Sequence, residues 1–123
     1  MKAQVFKGHY PMRKGTGIDV QLSVIFYKED GIYYAYCAAL DILGYGNTEI
    51  EARKSFEIMV KETLTDAVAN GTLLAMLKSY GWSNNQEPPK TSDLINSNSE
   101  LADIINNKVY KTVFEAVNIP CIA

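Results

Sequence analysis

The sequence predicts an α+β domain of two layers, in which an antiparallel sheet packs against one long helix. Three observations lead to this fold class: two strand-like segments joined by a tight turn, a short third strand, and a long amphipathic stretch directly after it. Three antiparallel strands must bury their apolar face, and the helix that follows them can cover it. A short second helix and a C-terminal strand complete the prediction.

The first two strands form a predicted hairpin. The segment DVQLSVIFYKEDG has apolar residues at every second position: Val20, Leu22, Val24 and Phe26. This is the period of a strand with one buried face. The EDG that follows suits a tight turn, because Gly31 tolerates positive φ and Asp30 can bond to its own backbone. IYYAYCAAL is rich in the aromatic residues of strands, and ILGY predicts a short third strand.

The long helix is predicted over 49–70, because Thr48 and Glu51 have the spacing of a capping box. Gly71 is expected to end this helix in a left-handed conformation, and Gly81 to end a second helix in TLLAMLKSYG in the same way. The residues predicted to form the buried stripe of the long helix are Ala52, Phe56, Met59, Val60, Thr63, Leu64 and Ala67.

The chain divides into three predicted parts: an N-terminal arm over 1–17, an α+β domain over 18–82, and an extension over 83–123. The extension begins as a polar loop, continues through SELADIINN with one or two helical turns, and ends in the strand-like KVYKTVFEAVNI. That strand is expected to complete the chain's own sheet or to pair with a second subunit, because an uncovered edge invites aggregation. No separate DNA-binding domain is predicted.

The amino-acid composition of the chain argues against several classes of function. The net charge is −2 and the pI is about 5.3, so the chain has no basic excess for binding a nucleic-acid duplex. Cys37 and Cys121 are far apart and form no Cys-x-x-Cys motif, which is typical of a reducing compartment. No apolar run approaches the roughly 20 residues that a membrane span needs. A soluble, cytoplasmic protein is expected.

Candidate catalytic and cofactor sites are weak. His9 is the only histidine and has no neighbouring ligand at metal-binding spacing, so no metal is expected. Cys37 lacks a nearby histidine base and is predicted to be a small buried side chain. Gly44 and Gly46 precede a helix, but Glu49 stands where a dinucleotide-binding motif needs its third glycine. We expect neither an enzyme nor a cofactor, and assign the glycines a steric role.

The tyrosines suggest an interaction surface. If the alternate residues of the second strand face the helix, Tyr34 and Tyr36 point to the opposite face, beside Tyr27 of the neighbouring strand. An open sheet face with several tyrosines suits recognition of a protein, or stacking of RNA bases. The low positive charge favours protein contact over RNA. A third alternative is that the C-terminal strand or another subunit covers this face. Ile50 and Ile58 lie outside the buried stripe of the long helix and are predicted oligomer contacts.

The run VIFYKEDGIYYAYCAALDILGYGNTEIEARKSFEIMVKETL, continued by GTLLAMLKSYGW, resembles the HicB family of antitoxins. The shared pattern is a strand, an acidic-glycine hairpin, an aromatic strand, a Gly-Asn-Thr helix cap and a long helix, over roughly residues 20–82. Ala38 stands where the family often has proline. The resemblance implies a partial double-stranded-RNA-binding-domain or RNase H-like fold.

The resemblance also implies a function: binding of a small basic HicA-like mRNA-cleaving toxin and obstruction of its active site. The family commonly carries a DNA-binding domain at its C-terminus, which this sequence does not predict. The hypothesis is therefore a HicB-like antitoxin or a stand-alone homologue, forming a homodimer or higher oligomer, with Tyr27, Tyr34 and Tyr36 as the inferred contact patch. The alternative is an RNA-binding module that uses the same tyrosines.

Overall fold

The α+β fold class is confirmed by the computed structural model, which describes residues 17–83 and 87–120. The predicted arm lies outside these residues except for Gly17. The elements in chain order are β1 Gly17–Glu29, β2 Ile32–Cys37, β3 Ile42–Gly46, α1 Glu49–Ala69, α2 Leu73–Ser79, α3 Thr91–Leu94, α4 Ser99–Asn107 and β4 Tyr110–Pro120. No helix within the described ranges has the length and apolar character to cross a membrane.

The four strands form one antiparallel sheet in the order β3-β2-β1-β4. β4 pairs with β1 along its whole length, from Gly17 opposite Pro120 to Tyr27 opposite Tyr110. The C-terminal strand therefore completes the chain's own sheet, one of the two predicted outcomes. The 83–123 extension is also more closely integrated than its separate boundary suggested, because β4 forms an edge of the same sheet.

The β1–β2 hairpin has the predicted turn. Asp30 and Gly31 both have positive φ, 53° and 82°, between Glu29 and Ile32, which are paired. Two central residues with positive φ twist the chain in the direction that two neighbouring strands require. The turn therefore determines the register of the hairpin, and with it which tyrosines share a face.

α1 begins and ends as predicted. The backbone N–H of Glu51 donates to Thr48 Oγ1 at 3.1 Å, and Glu51 Oε1 accepts from the Asn47 N–H at 2.9 Å, one residue before the position of a capping box. At the other end Gly71 has φ 68° and the Thr72 N–H donates to the Ala67 carbonyl at 2.9 Å. This closes the helix with a Schellman motif.

α2 ends in the same way. Gly81 has φ 97°, and the N–H of Trp82 donates to the Leu77 carbonyl at 3.0 Å. The Trp82 indole then donates to the Ala39 carbonyl at 2.7 Å, and its ring is 3% exposed. This contact ties the end of α2 to the turn between β2 and β3, because a buried indole N–H needs an acceptor.

α1 covers one face of the sheet, where Ala52, Phe56, Val60 and Leu64 have no exposed surface. They pack against β1, β2 and β3 side chains such as Val24, Cys37 and Ile42. Met59 was predicted in this stripe but is 42% exposed. The buried row follows a spacing of four residues, which leaves Met59 at its margin.

The glycines of β3 allow α1 to lie close to the sheet. A Cβ atom at Gly44 would lie 2.4 Å from the backbone nitrogen of Phe56, and one at Gly46 would lie 2.4 Å from Glu51 Cβ. Neither glycine has the positive φ of Gly31. Their role is therefore steric, as predicted, but the neighbour that requires it is the backbone of α1.

α4 lies against the opposite face of the sheet, a covering layer beyond the two that the sequence predicted. It consists of the SELADIINN segment. Leu101 and Ile104 are 0% and 1% exposed and pack against Ile25, Tyr27 and Tyr36. An antiparallel sheet can leave one face in solvent, but here part of the second face is a smaller apolar core.

Replacing Gly44 with alanine is expected to destabilise the fold by about 3 kcal/mol, the upper part of the usual range for overpacking. The added methyl group would collide with helix backbone, which cannot rotate away. Urea unfolding measures the loss. Gly31→Ala is the matched control: its Cβ has open space, so only positive φ opposes it, at about 1 kcal/mol. An unfolding midpoint for Gly44→Ala equal to that of Gly31→Ala would contradict the steric explanation.

Candidate interaction surface

The three predicted contact tyrosines share one face of the sheet. The Tyr27 and Tyr34 rings stack with centroids 5.0 Å apart and an interplanar angle of 19°, and Tyr36 belongs to the same apolar cluster. The prediction that this face is open is wrong. Tyr27 is 7% and Tyr36 3% exposed, because Leu101 of α4 packs on them, and Tyr34 is half-buried.

The Tyr36 hydroxyl connects the sheet to the start of α4. It donates to Asp41 Oδ1 at 3.3 Å and accepts from Asn98 Nδ2 at 2.9 Å. Asn98 also caps α4, since its Oδ1 accepts from the Leu101 N–H at 2.9 Å. Burial, together with the negative charges of Asp41 and Glu100, raises the pKa of Tyr36 to about 12. The Tyr36 phenol therefore stays neutral and can donate its hydrogen bond to Asp41.

Tyr27 has a similar environment. Burial is the main cause that raises its pKa to about 12, followed by the charges of Glu100 and Glu29. At the end of α4, Lys108 Nζ lies 3.0 Å from Glu29 Oε2 and 3.2 Å from Asp103 Oδ2. α4 is thus attached at both ends, through Asn98 and through Lys108, in addition to its apolar contacts.

The covered face weakens the RNA-binding alternative. Base stacking requires an accessible aromatic ring, and two of the three rings proposed for it are buried. Contact with a partner through these tyrosines remains a prediction, but in this arrangement they offer a partner little surface.

The described residues also show how Cys37 is placed. It is fully buried, and burial raises the pKa of its thiol to about 12. The thiol is therefore protonated and packed, in agreement with its predicted role as a small core side chain. Among the described ranges no group of three His, Cys, Asp or Glu residues could hold a metal ion. His9 and Cys121 lie outside them.

Large apolar side chains are exposed at two places that could contact partners. The first, which we call the α1 surface, consists of Ile50 and Ile58, which are 69% and 58% exposed. Ile50 and Ile58 are the predicted oligomer contacts, and their exposure is compatible with any protein contact.

The second place, the β4 surface, consists of Val109, Tyr110 and Phe114, which are 94%, 41% and 67% exposed. The sequence predicted that the strand KVYKTVFEAVNI completes the sheet or pairs with a second subunit, but it singled out none of these three residues. The alternation of KVYKTVFEAVNI already placed Phe114 and Val113 on opposite faces, but only the strand order shows that β4 is an edge, where an outward aromatic side chain stays uncovered.

A group of charged residues links α1 to β4. Arg53 Nη2 lies 2.9 Å from Glu115 Oε1, and Lys111 Nζ lies 2.6 Å from Glu49 Oε2. Glu115 is 4% exposed, and its second oxygen, Oε2, is buried without a hydrogen-bond partner. Such an orphaned acceptor is uncommon and costly. The sequence did not indicate this group of charged residues, because its members on α1 and β4 are about sixty positions apart in the chain.

The described part of the chain is more acidic than the whole. All fourteen Asp and Glu residues lie within 17–83 and 87–120, whereas four of the twelve Lys and Arg residues precede them: Lys2, Lys7, Arg13 and Lys14. The surface of the described domain therefore favours a basic partner.

Comparison with protein-family models, curated proteins and solved structures finds no match to this chain. The HicB resemblance therefore rests on the order and spacing of its motifs.

Tyr27 and Tyr36 are expected to ionise near pH 12, above the ordinary tyrosine value of 10.0. An unfolded chain loses these protons first, so folded stability is expected to fall as the pH rises from 10 to 12. Ultraviolet absorbance of phenolate reports the ionisation, and urea unfolding reports the stability. The variant Tyr27→Phe/Tyr36→Phe should lack the late ionisation, whereas Tyr45→Phe should retain it. A late step that survives in the double variant would show that other tyrosines cause it.

Proposed function

We propose that the chain is an antitoxin-like binding module that docks on a small, basic, HicA-like mRNA-cleaving toxin and blocks its active site. The observation that carries the proposal is the arrangement over residues 20–82. The acidic-glycine hairpin, the glycine-containing β3, the Thr48 cap and α1 follow one another in the order on which the resemblance rests. Together they build three of the four strands of the sheet and the helix that covers one of its faces.

The charge of the domain supports this partner. An enzyme that cleaves mRNA needs positive charge near its RNA-binding site, and the described part of this chain has a surplus of carboxylates. Opposite charges on the two surfaces accelerate encounter and disfavour wrong partners. An inhibitor of this kind acts through its shape and charge and needs no catalytic group. The buried, protonated Cys37 thiol is therefore compatible with the proposal.

We assign the toxin contact to the α1 surface. Ile50 and Ile58 supply exposed apolar area on a helix that Gly44 allows to lie close to the sheet. Exposed charges of both signs lie on the same helix: Lys54 is between the two isoleucines on the helix face, and the carboxylates of Glu51 and Glu62 are on α1 as well. Apolar side chains with charged neighbours are a common composition of a protein interface. This replaces the tyrosine patch as the proposed contact, since α4 covers that patch.

The test asks whether a small basic protein is encoded beside this chain's gene, and whether this chain binds and inhibits it. The two proteins are expected to co-purify, and an equimolar amount of this chain should stop RNA cleavage by the neighbour. A neighbour that cleaves RNA equally well with and without this chain would contradict the proposal.

Ile50→Lys/Ile58→Lys should weaken toxin binding at least tenfold, about 1.4 kcal/mol, because two positive charges replace apolar contacts against a basic partner. Isothermal titration calorimetry measures the change. Tyr45→Lys/Leu74→Lys is the matched control: Tyr45 on β3 and Leu74 on α2 are 64% and 51% exposed, so this variant adds the same two charges away from the α1 surface. Equal losses in both variants would indicate a general charge effect and exclude the α1 surface as the contact.

A further inference from the structure

Within residues 17–83 and 87–120, no strand pairs with the outer edge of β4. All eleven of its residues have partners on β1, in a register that runs without interruption from Tyr110 to Pro120. On its other side, no backbone hydrogen bond joins β4 to another residue of the described ranges. Such an edge presents a row of backbone donors and acceptors to any strand that approaches it.

Apolar side chains accompany this edge. Tyr110 and Phe114 are on the sheet face opposite α1, and Val109 precedes the strand. Natural edge strands are often protected by shortness, bulges, proline or charge. β4 is long and regular, and its only proline is the final residue, Pro120.

The charges of β4 are self-complementary. Lys111 and Glu115 lie four residues apart on the face that α1 covers, with Val113 midway between them. If two β4 strands pair antiparallel around a two-fold axis at Val113, Lys111 of each copy stands opposite Glu115 of the other. Moving the axis by one residue to Thr112 or Phe114 places valine opposite both charged residues.

We infer that the outer edge of β4 pairs with β4 of a second copy, with the two-fold axis at Val113, to form a continuous eight-stranded sheet. The inference is independent of the toxin proposal, which uses the α1 surface. Charged side chains that point inward usually discourage pairing at an edge strand. In this register, however, Lys111 of each copy attracts Glu115 of the other. Directly opposite residues of opposite charge stabilise an antiparallel pair.

Cysteine cross-linking tests the register. In a full-length Cys121→Ser background, Val113→Cys places two thiols directly opposite each other, with Cα atoms about 5 Å apart, which suits a disulfide. Thr112→Cys is the control, because its two copies would lie roughly 8 Å apart, beyond disulfide reach. Mild oxidation should give a covalent dimer of Val113→Cys alone. Cross-linking of Thr112→Cys alone, or of neither variant, would overturn the register.

Sedimentation of the full-length chain tests the dimer itself. A dimer is expected, and Phe114→Glu should raise its dissociation constant at least tenfold by placing a charge beside the pairing edge. Tyr45→Glu, an equally exposed aromatic position on the opposite edge strand, should leave the constant unchanged. A chain that stays monomeric at its highest soluble concentration would overturn the inference and indicate that something other than a second copy covers the edge. Equal effects of the two variants would also overturn it.

Discussion

The close approach of α1 to β3 is the constraint on which the rest of the structure depends. The helix backbone lies where a side chain of Gly44 would otherwise stand, so Phe56 and the residues one turn away reach the sheet and leave no gap. Interiors packed at this density resist both added and removed atoms. The position of α1 in turn determines which of its residues remain exposed, and thus where Ile50 and Ile58 present their surface.

The second face of the sheet is organised by a different interaction. α4 is amphipathic but only nine residues long, too short to be stable alone. It is held by burial of Leu101 and Ile104 on the tyrosine-bearing face and by polar contacts of Asn98 and Lys108 at its ends. The aromatic residues that resembled a binding platform are therefore used mainly as core.

This use of the tyrosines leaves two separate regions for partners. The α1 surface lies on the helical side, and the edge of β4 that no described strand pairs with lies at one margin of the sheet. Because these are different parts of the molecule, the proposed second copy and the proposed toxin would bind without competing for the same side chains. Edge pairing of two chains would also present two α1 surfaces on one side of a single sheet, since a two-fold axis through antiparallel strands keeps equivalent faces together.

Local chemistry in the sequence determined the strands of the hairpin, the limits of α1 and α2, the helical SELADIINN segment and the need for small residues in β3. Each depends on neighbours in the chain: a capping side chain at Thr48, a left-handed glycine at Gly71, or alternation along a strand. Only the tertiary structure decided which face was covered and which edge stayed open. Those outcomes depend on contacts between distant segments, such as Leu101 on Tyr36 and Arg53 with Glu115. The periodicity of a segment shows that one of its faces is apolar, but it does not identify the element that will bury that face.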